Sequence, residues 1–302
     1  MVETCQFIMK KTIVFLKTIR TASTNNLGIL RRLAAEKYVD STYCVAEVDE
    51  LNTNLETAYI SNQHSSALRS KERLDELDPK IWTSSTKVTS VRNPWDQAIS
   101  AFWRTYVGTP HFTLDKSNIN RINTFSRELD EQENKCVVLA KKLFNDCLSV
   151  IGDCLSKKSF LQIEPREMEV TDNAETNRLY RDLLFSLQRT INVLMIDGKF
   201  VADHYLRYEQ FENDWKQLLK HLNIDYQELF DTHMKVEKGP IKNDLGNDVP
   251  KTWGSFSNFM IENKRVSCVK NQEYSYVNWY DKTQDIILDS MSDIINKFNY
   301  KF

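Results

Sequence analysis

The segment spanning residues 12–33, TIVFLKTIRTASTNNLGILRRL, constrains the fold most, because its character changes twice within a short distance. Residues 13–16 form an apolar run with two β-branched members, which is typical of a buried strand. Residues 17–26 are mostly small and polar. Apolar residues then recur at helical spacing, namely Leu27, Ile29, Leu30 and Leu33. The segment therefore predicts a strand, a polar loop and a helix, the repeating unit of an α/β sheet.

This order of elements favours an anion in the polar loop. The first N–H groups of a helix lack partners within the helix, and the positive end of its dipole faces the same place. Lys17 and Arg20 add two positive charges to the loop. The loop is not a Walker A motif, because the first glycine of the chain is Gly28, inside the predicted helix. The alternative is an ordinary helix capped by Ser23 or Thr24, with no ligand.

A second segment, VRNPWDQAISAFWRTY, also joins a strand to a helix. It predicts a strand over residues 87–91 and a helix beginning at Pro94, with Asn93 as its N-cap. Arg92 lies at the end of the strand and Ser100 lies two turns along the helix. A guanidinium offers a planar fork of donors and a serine adds a hydroxyl, but Arg-x-Pro before a helix is by itself a common pattern.

Other patterns predict the rest of the α/β order. Further strands are predicted at residues 42–48, 57–60 and 200–206, and further helices at residues 71–77, 128–155 and 175–193. The long helix has a predicted core stripe of Val137, Val138, Leu139, Leu143, Phe144, Leu148 and Ile151. Residues 193–197 imitate a Walker B strand, but Asp197 and Gly198 instead predict a hairpin turn.

The two strand–helix segments resemble the cofactor-binding motifs of the sulfotransferases that use PAPS, 3′-phosphoadenosine 5′-phosphosulfate. The first is similar to F-L-K-T-H-K-T-G-S-S-T in galactose 3-O-sulfotransferases and to P-K-T-A-S-T-S in uronyl 2-O-sulfotransferases. The second is similar to the 3′-phosphate motif R-[DN]-P-x-x-R-x-x-S-x-[YF]. Ile19 replaces the histidine of the first group, Arg20 replaces a lysine, and Gln97 replaces a common second arginine.

The resemblance extends to residues 207–224 and 279–302, whereas residues 108–190 and 226–275 match no motif of the family. It implies one α/β domain over residues 1–302, with a P-loop-like sulfotransferase fold in which helices flank a central, mostly parallel sheet. It also implies transfer of a sulfuryl group from PAPS to an acceptor hydroxyl or amine, with release of the bisphosphate PAP.

The resemblance also implies a set of site residues. The catalytic residues are Lys17, Arg20 and His64, the last as the base that deprotonates the acceptor. His111 is the second choice for that base. The residues that bind PAPS are Lys17, Arg20, Thr21, Ala22, Ser23, Thr24, Asn25, Arg92 and Ser100.

Charge and composition limit the partners. The net charge is −2 and the basic pairs are scattered, which argues against nucleic acid and against a highly sulfated polysaccharide. The family resemblance alone implies a carbohydrate or a small metabolite as acceptor, its identity unspecified. The aromatic residues Trp103, Tyr106, Trp253 and Trp279 either stack on a sugar or belong to the core.

Cysteine spacing and hydropathy indicate the expected compartment. The six cysteines contain no C-x-x-C and no metal-ligand spacing, so no metal is expected and reduced thiols are the default. A disulfide between Cys147 and Cys154 is the alternative. No apolar run is long enough for a transmembrane helix, and Lys10 and Lys11 lie on the wrong side of an apolar segment for a signal peptide. A cytoplasmic protein is expected.

Two other functions fit part of the pattern. A nucleotide kinase shares the strand–loop–helix anion site, but it requires glycines and a magnesium-binding carboxylate that the loop lacks. A catalytically inactive relative that binds PAPS or another nucleotide retains Arg92 and Ser100 without the transfer apparatus. The departures at Ile19 and Arg20 leave that alternative open.

Overall fold

Four parallel strands form the principal sheet in the described part of the computed structural model. The strands are β1 (Thr12–Leu16), β2 (Ser41–Tyr43), β3 (Thr86–Val91), β4 (Met195–Ile196), β5 (Lys199–Phe200) and β6 (His204–Arg207). The principal sheet has the order β2–β1–β3–β6, and β4 and β5 form a separate antiparallel pair. Helices flank the sheet, so the α/β class with a parallel sheet, predicted from the sequence, is confirmed.

The structure describes residues 12–19, 21, 26–27, 29–30, 33–34, 37–44, 66–109, 111, 131–226 and 276–302. Of these, the side chains of residues 133, 134 and 276 are outside the description. Contacts divide the chain into a sheet unit and a helical unit. The sheet unit consists of Met1–Thr18, Ala22–Val91 and Val193–Lys264, and the helical unit consists of Ile19–Thr21, Arg92–Asn192 and Arg265–Phe302. The expected single domain stays a prediction.

The described helices lie between and after the strands along the chain. They are α1 (Ala67–Leu77), α2 (Pro79–Ser84), α3 (Pro94–Tyr106), α4 (Glu131–Leu155), α5 (Ala174–Leu194), α6 (Phe211–His221), α7 (Gln284–Ser290) and α8 (Ser292–Phe298). Residues 26, 27, 29, 30, 33 and 34 are also helical, as the spacing after the polar loop predicts. Short 3₁₀ helices occur at Phe160–Gln162, Pro165–Met168, Tyr208–Gln210 and Tyr276–Trp279.

The order of the strands creates a topological switch at β1. The chain goes from β1 to β2 on one side and later returns to β3 on the other side of β1. In the parallel register of β1 and β3, Leu16 pairs with Thr89, so the two strands end close together at the same edge of the sheet. Ligands of open α/β sheets bind outside the carboxyl ends of strands at such a switch point.

Both faces of β1 are buried, which explains its uninterrupted apolar sequence. Ile13 and Phe15 belong to one core cluster, together with Leu30, Leu33, Trp215 and Leu218. Val14 and Leu16 belong to a cluster on the opposite face, together with Ala67, Leu74, Trp82 and Val193. A strand covered on both faces requires apolar residues at every position, and the predicted buried strand is confirmed.

The aromatic residues of the helical unit form its core. Phe102 packs against Phe144 with ring centroids 5.4 Å apart, and Trp103 packs edge-on against Trp279 at 5.7 Å. Trp103, Tyr106 and Trp279 are all buried. Of the two roles that the sequence left open for these aromatic residues, packing in the core is therefore the observed one. Trp253 lies outside the described residues.

Several predicted elements have different bounds or faces. The prediction that Val138 and Leu139 belong to the core stripe of α4 is wrong, because they are 66% and 37% exposed. In a helix these positions follow the buried Val137 by about 100° and 200°, which turns them away from its face. β2 ends at Tyr43 rather than continuing to residue 48, and residues 45–48 and the strand predicted at 57–60 lie outside the described residues.

The predicted turn at Asp197–Gly198 is confirmed. Both residues have positive φ, 49° and 71°, which is the requirement of a two-residue type I′ hairpin, and this turn joins β4 to β5. The strand predicted over residues 200–206 is divided, because β5 ends at Phe200 and β6 begins at His204. The apolar residues before Asp197 therefore belong to a hairpin and not to a Walker B strand.

No helix among the described residues is long and apolar enough to span a membrane.

Candidate functional site

Lys17 and Thr18 directly follow the central strand β1. Lys17 is only 4% exposed, and Thr18 is fully buried. The hydroxyl of Thr18 donates to the backbone oxygen of Ser90 over 2.5 Å, and that of Thr89 donates to the backbone oxygen of Leu16 over 2.7 Å. Side-chain hydrogen bonds therefore hold the ends of β1 and β3 together at the point where the candidate loop begins.

Asn26 fixes the other end of the loop, where the helical residues begin. Its Nδ2 donates to the hydroxyl of Ser90 over 2.8 Å, and its Oδ1 accepts from the indole N–H of Trp215 over 3.2 Å. Asn26 is fully buried. The sequence placed Asn26 in the polar loop but gave no sign of these partners, which are 64 and 189 residues away.

Gln97 holds the loop at a third point. Its Nε2 donates to the backbone oxygen of Ile19 over 2.6 Å and to the hydroxyl of Thr190 over 2.7 Å. Both Gln97 and Thr21 are buried. The sequence identified Gln97 only as the replacement of an arginine, and it did not indicate this contact with the loop backbone.

The start of α3 has the predicted cap. The Oδ1 of Asn93 accepts from the backbone N–H of Trp95 over 3.0 Å, and Pro94 occupies the first helical turn. The Nδ2 of Asn93 also donates to the backbone oxygen of Lys301 over 3.3 Å. The N-cap prediction is therefore confirmed.

Arg92 forms a buried ion pair that the sequence did not assign to it. Its Nε donates to Oδ2 of Asp96 over 2.6 Å, and both side chains are 9% exposed. The spacing of four residues, at which helical side chains meet, was the available signal. The ion pair orients the guanidinium through Nε, which is one of its five N–H donors. Ser100, half-buried, follows Asp96 at the same spacing on α3.

Several predicted site residues lie outside the described residues. They are Arg20, Ala22, Ser23, Thr24, Asn25 and His64. The second-choice base, His111, is described, and its Nε2 lies 3.4 Å from the hydroxyl of Thr176. The hydroxyl of Tyr106 donates to the backbone oxygen of His111 over 3.3 Å. His111 is thus held by contacts within the helical unit.

The described cysteines, histidines and carboxylates do not include a group of three that could bind a metal ion. The rings of His204 and His221 lie 4.5 Å apart, and no described cysteine, histidine or carboxylate makes this pair a group of three. Cys147 and Cys154 are free thiols, so the alternative disulfide does not form. Burial raises the pKa of the Cys147 thiol well above its usual value, which makes this sulfur unreactive.

This chain matches no protein-family model, no curated protein and no solved structure. The described residues define an α/β protein in which helices flank a parallel sheet of four strands. The loop after its central strand starts with a buried lysine and is tied down at Thr18, Ile19 and Asn26. The described residues of this loop suit an anionic group, because Lys17 supplies a positive charge beside the start of a helix.

Proposed function

We propose that this protein is a PAPS-dependent sulfotransferase that transfers a sulfuryl group to a hydroxyl of a carbohydrate or a small metabolite. One observation carries the proposal: Lys17 directly follows β1, and Arg92 directly follows β3, its neighbour at the switch point. These two residues are also the ones at which the sequence resembles the two cofactor motifs of the family. A cytoplasmic location and the absence of a metal requirement belong to the same proposal.

The proposal includes a P-loop-like sulfotransferase fold. Its support is that helical residues follow the loop after β1 and that α3 follows β3 with an N-cap at Asn93. Two such strand–helix junctions offer one anion site for each end of a nucleotide with phosphates at two positions.

The hydrogen-bond donors and positive charges of the predicted site residues match the anionic groups of PAPS. Lys17, Arg20 and the backbone amides of residues 21–25 would hold the 5′-phosphosulfate, whereas Arg92 and Ser100 would hold the 3′-phosphate. The cofactor supplies the activated sulfuryl group. Asp96 fixes the guanidinium of Arg92 in one orientation, which reduces the entropy that phosphate binding would otherwise cost.

His64 has the proposed role of base. Transfer to a hydroxyl requires removal of its proton, and a histidine has a pKa near the working pH. Lys17 and Arg20 have the proposed role of stabilising the negative charge that develops on the leaving phosphate oxygen.

A catalytically inactive nucleotide-binding protein is the second candidate. The observation that favours it is Ile19, an apolar residue where the related loop has a histidine. Such a protein would bind PAP through the same two junctions without transferring sulfate.

The first test is binding of PAP in the presence of EDTA, measured by thermal unfolding. At about a hundred times its dissociation constant, a ligand stabilises the folded state by roughly 2.7 kcal/mol. Adenosine 5′-monophosphate is the control, because it lacks the 3′-phosphate and should shift the melting temperature much less. A shift with ATP and magnesium but none with PAP would instead identify a nucleotide kinase.

The second test separates the enzyme from the inactive protein. Candidate acceptors are incubated with PAPS and examined by mass spectrometry for the mass of an added sulfuryl group. A protein that binds PAP tightly but sulfates none of a broad panel of sugars and metabolites would be the inactive relative.

A further inference from the structure

We infer that Gln97 is a positioning residue that sets the orientation of the loop backbone at Ile19. The inference rests on the proposed function, because it assigns the loop to the anionic end of PAPS. Gln97 lies in the second turn of α3, and its Nε2 donates to the backbone oxygen of Ile19 over 2.6 Å and to Thr190 over 2.7 Å. All three residues belong to the helical unit.

The hydrogen-bond partners fix which end of the Gln97 amide faces the loop. The backbone oxygen of Ile19 only accepts, so the group that faces it must be the NH₂. The hydroxyl of Thr190 donates to the backbone oxygen of Ser186 over 3.0 Å and therefore accepts from Gln97. Both amide hydrogens are thus used. A reversed amide would lose the bond to Ile19 and set two oxygens against each other.

The bond to Gln97 determines where the Ile19 carbonyl points. A carbonyl oxygen carries partial negative charge and would repel an anion if it faced one. With its oxygen bonded to Gln97, Ile19 directs this oxygen at α3, and its peptide plane is held in one orientation. An anion cradle requires such uniform orientation, because its donors must converge while its acceptors point away.

The same geometry explains the departure from the family motif. A second arginine at position 97 would bind through charge, whereas the amide of Gln97 binds two neutral oxygens. The residue therefore acts on the ligand through the loop and not by direct contact. Gln97 is therefore expected to increase the affinity for the bisphosphate PAP, and it adds no charge to the site.

The test replaces Gln97 by a side chain of the same shape that cannot donate. In Gln97→Glu, the ionised carboxylate cannot donate to the backbone oxygen of Ile19 and repels it. Gln188→Glu is the matched control, because the Nε2 of Gln188 also donates to two backbone oxygens, those of Phe160 and Ile163, over 2.8 and 2.9 Å. Both variants should lower the melting temperature. Only Gln97→Glu should weaken PAP binding, by about tenfold to a hundredfold.

Lowering the pH should partly restore binding by Gln97→Glu. Burial disfavours the ionised form of a carboxyl and raises its pKa, so the buried side chain of Gln97→Glu takes up a proton at a pH above the usual glutamate range. The protonated carboxyl again donates one hydrogen bond. The ratio of the PAP affinity of Gln97→Glu to that of the wild type should therefore rise as the pH falls. The same ratio for Gln188→Glu should stay flat, since that residue does not touch the loop.

Hydrogen exchange without ligand separates this inference from the proposed function. The peptide that covers residues 12–27 should exchange faster in Gln97→Glu than in Gln188→Glu or the wild type. If the wild type fails to bind PAP, the proposed function fails, and the exchange experiment still decides the role of Gln97. If the wild type binds PAP and both glutamate variants bind it equally, with equal exchange, Gln97 is not a positioning residue.

A milder variant covers the case in which Gln97→Glu does not fold. Thr190→Val removes the second partner of the Gln97 amide and leaves its bond to Ile19 possible. Its affinity for PAP should fall by about threefold to tenfold, since only the anchor of the amide is lost. Affinity equal to that of the wild type would overturn the inference.

Discussion

Arg92 and Asp96 form one of the buried contacts at the start of α3, with Nε of the arginine 2.6 Å from a carboxylate oxygen. Because both side chains are almost entirely removed from water, each charge depends on the other for its stability. The proposed phosphate ligand of the chain is therefore also part of an ion pair that supports the fold. Any variant of Arg92 has to be designed with this second role in mind.

The first prediction concerns this ion pair. Arg92→Ala alone should cost about 3–5 kcal/mol of folding free energy, because it breaks a buried ion pair by removing one of its two charges. The double variant Arg92→Gln with Asp96→Asn removes both charges and should recover much of that stability. It should still bind PAP about tenfold to a hundredfold more weakly, for lack of a charge-assisted phosphate contact. Urea unfolding and calorimetric titration measure the two effects, and undiminished affinity in the folded double variant would exclude Arg92 from the site.

The second prediction concerns the buried amide of Asn26. Asn26→Leu removes an acceptor from the indole of Trp215 and a donor to Ser90, and it should cost about 2–4 kcal/mol in urea unfolding. Ser90→Ala is the control, because it removes only the second of these bonds and should cost roughly 0.5–1.5 kcal/mol. Equal losses in the two variants would mean that the bond to Trp215 contributes nothing.

The third prediction tests the catalytic role of Lys17. Lys17→Met keeps the length of the buried side chain but removes the ammonium group that we propose to stabilise the leaving phosphate. Sulfuryl transfer should slow by about 10²–10³-fold, with a smaller loss of PAP affinity. Lys87→Met serves as the control, since Lys87 lies on the neighbouring strand and pairs with Asp203. Normal transfer by Lys17→Met would shift this role to Arg20, for which Arg20→Lys should retain activity.

The fourth prediction concerns the base. His64→Ala should lower the turnover of a responsive acceptor by about 10²–10⁴-fold and leave PAP affinity nearly unchanged. His111→Ala is the comparison, because His111 is the other histidine proposed for this role. The larger loss identifies the base, and two small losses would assign it to a carboxylate.

The fifth prediction is a pH dependence of stability at Glu167. The backbone N–H of Glu164 and then the Lys158 ammonium, 2.8 Å from both carboxylate oxygens, lower the pKa of Glu167 below its usual 4.5. The folded state therefore releases the Glu167 proton more readily than the unfolded state does. The resulting contribution to folding stability is present above the usual pKa and is lost as the pH falls through the lowered pKa. The melting temperatures of the wild type and Glu167→Gln should differ at neutral pH and converge in acid. Glu131→Gln, at an exposed position, is the control.

The sequence predicted the features that depend on neighbouring residues. Burial of residues 13–16, the Asn93 cap and the Asp197–Gly198 turn each follow from a local rule, and each is confirmed. The bonds of Asn26 to Ser90 and Trp215 join segments far apart in the chain, and no local pattern specifies such partners. Val138 was misplaced because an apolar residue was assumed to be buried, although one face of a helix is always turned outward.

Of the candidate site, the sequence predicted only the two strand–helix junctions at Lys17 and Arg92. Lys17 and Arg92 were recognised because a cation at the end of a strand is conspicuous in sequence. Asp96 and Gln97 were less conspicuous, because polar residues at the start of a helix usually face solvent. Their contacts with Arg92 and with the Ile19 carbonyl depend on the arrangement of side chains inside the helical unit, which periodicity does not determine.

The late position of β6 in the chain has a consequence for synthesis on the ribosome. Lys87 in β3 and Asp203, just before β6, are joined by a hydrogen bond across a separation of 116 residues. At about 5–20 residues per second, the ribosome needs roughly 6–23 s to make the intervening chain. During that interval β3 lacks its outer neighbour, and its exposed edge is open to pairing with other nascent chains. Chaperones that shield such an edge would therefore raise the yield of folded protein most when translation is slow.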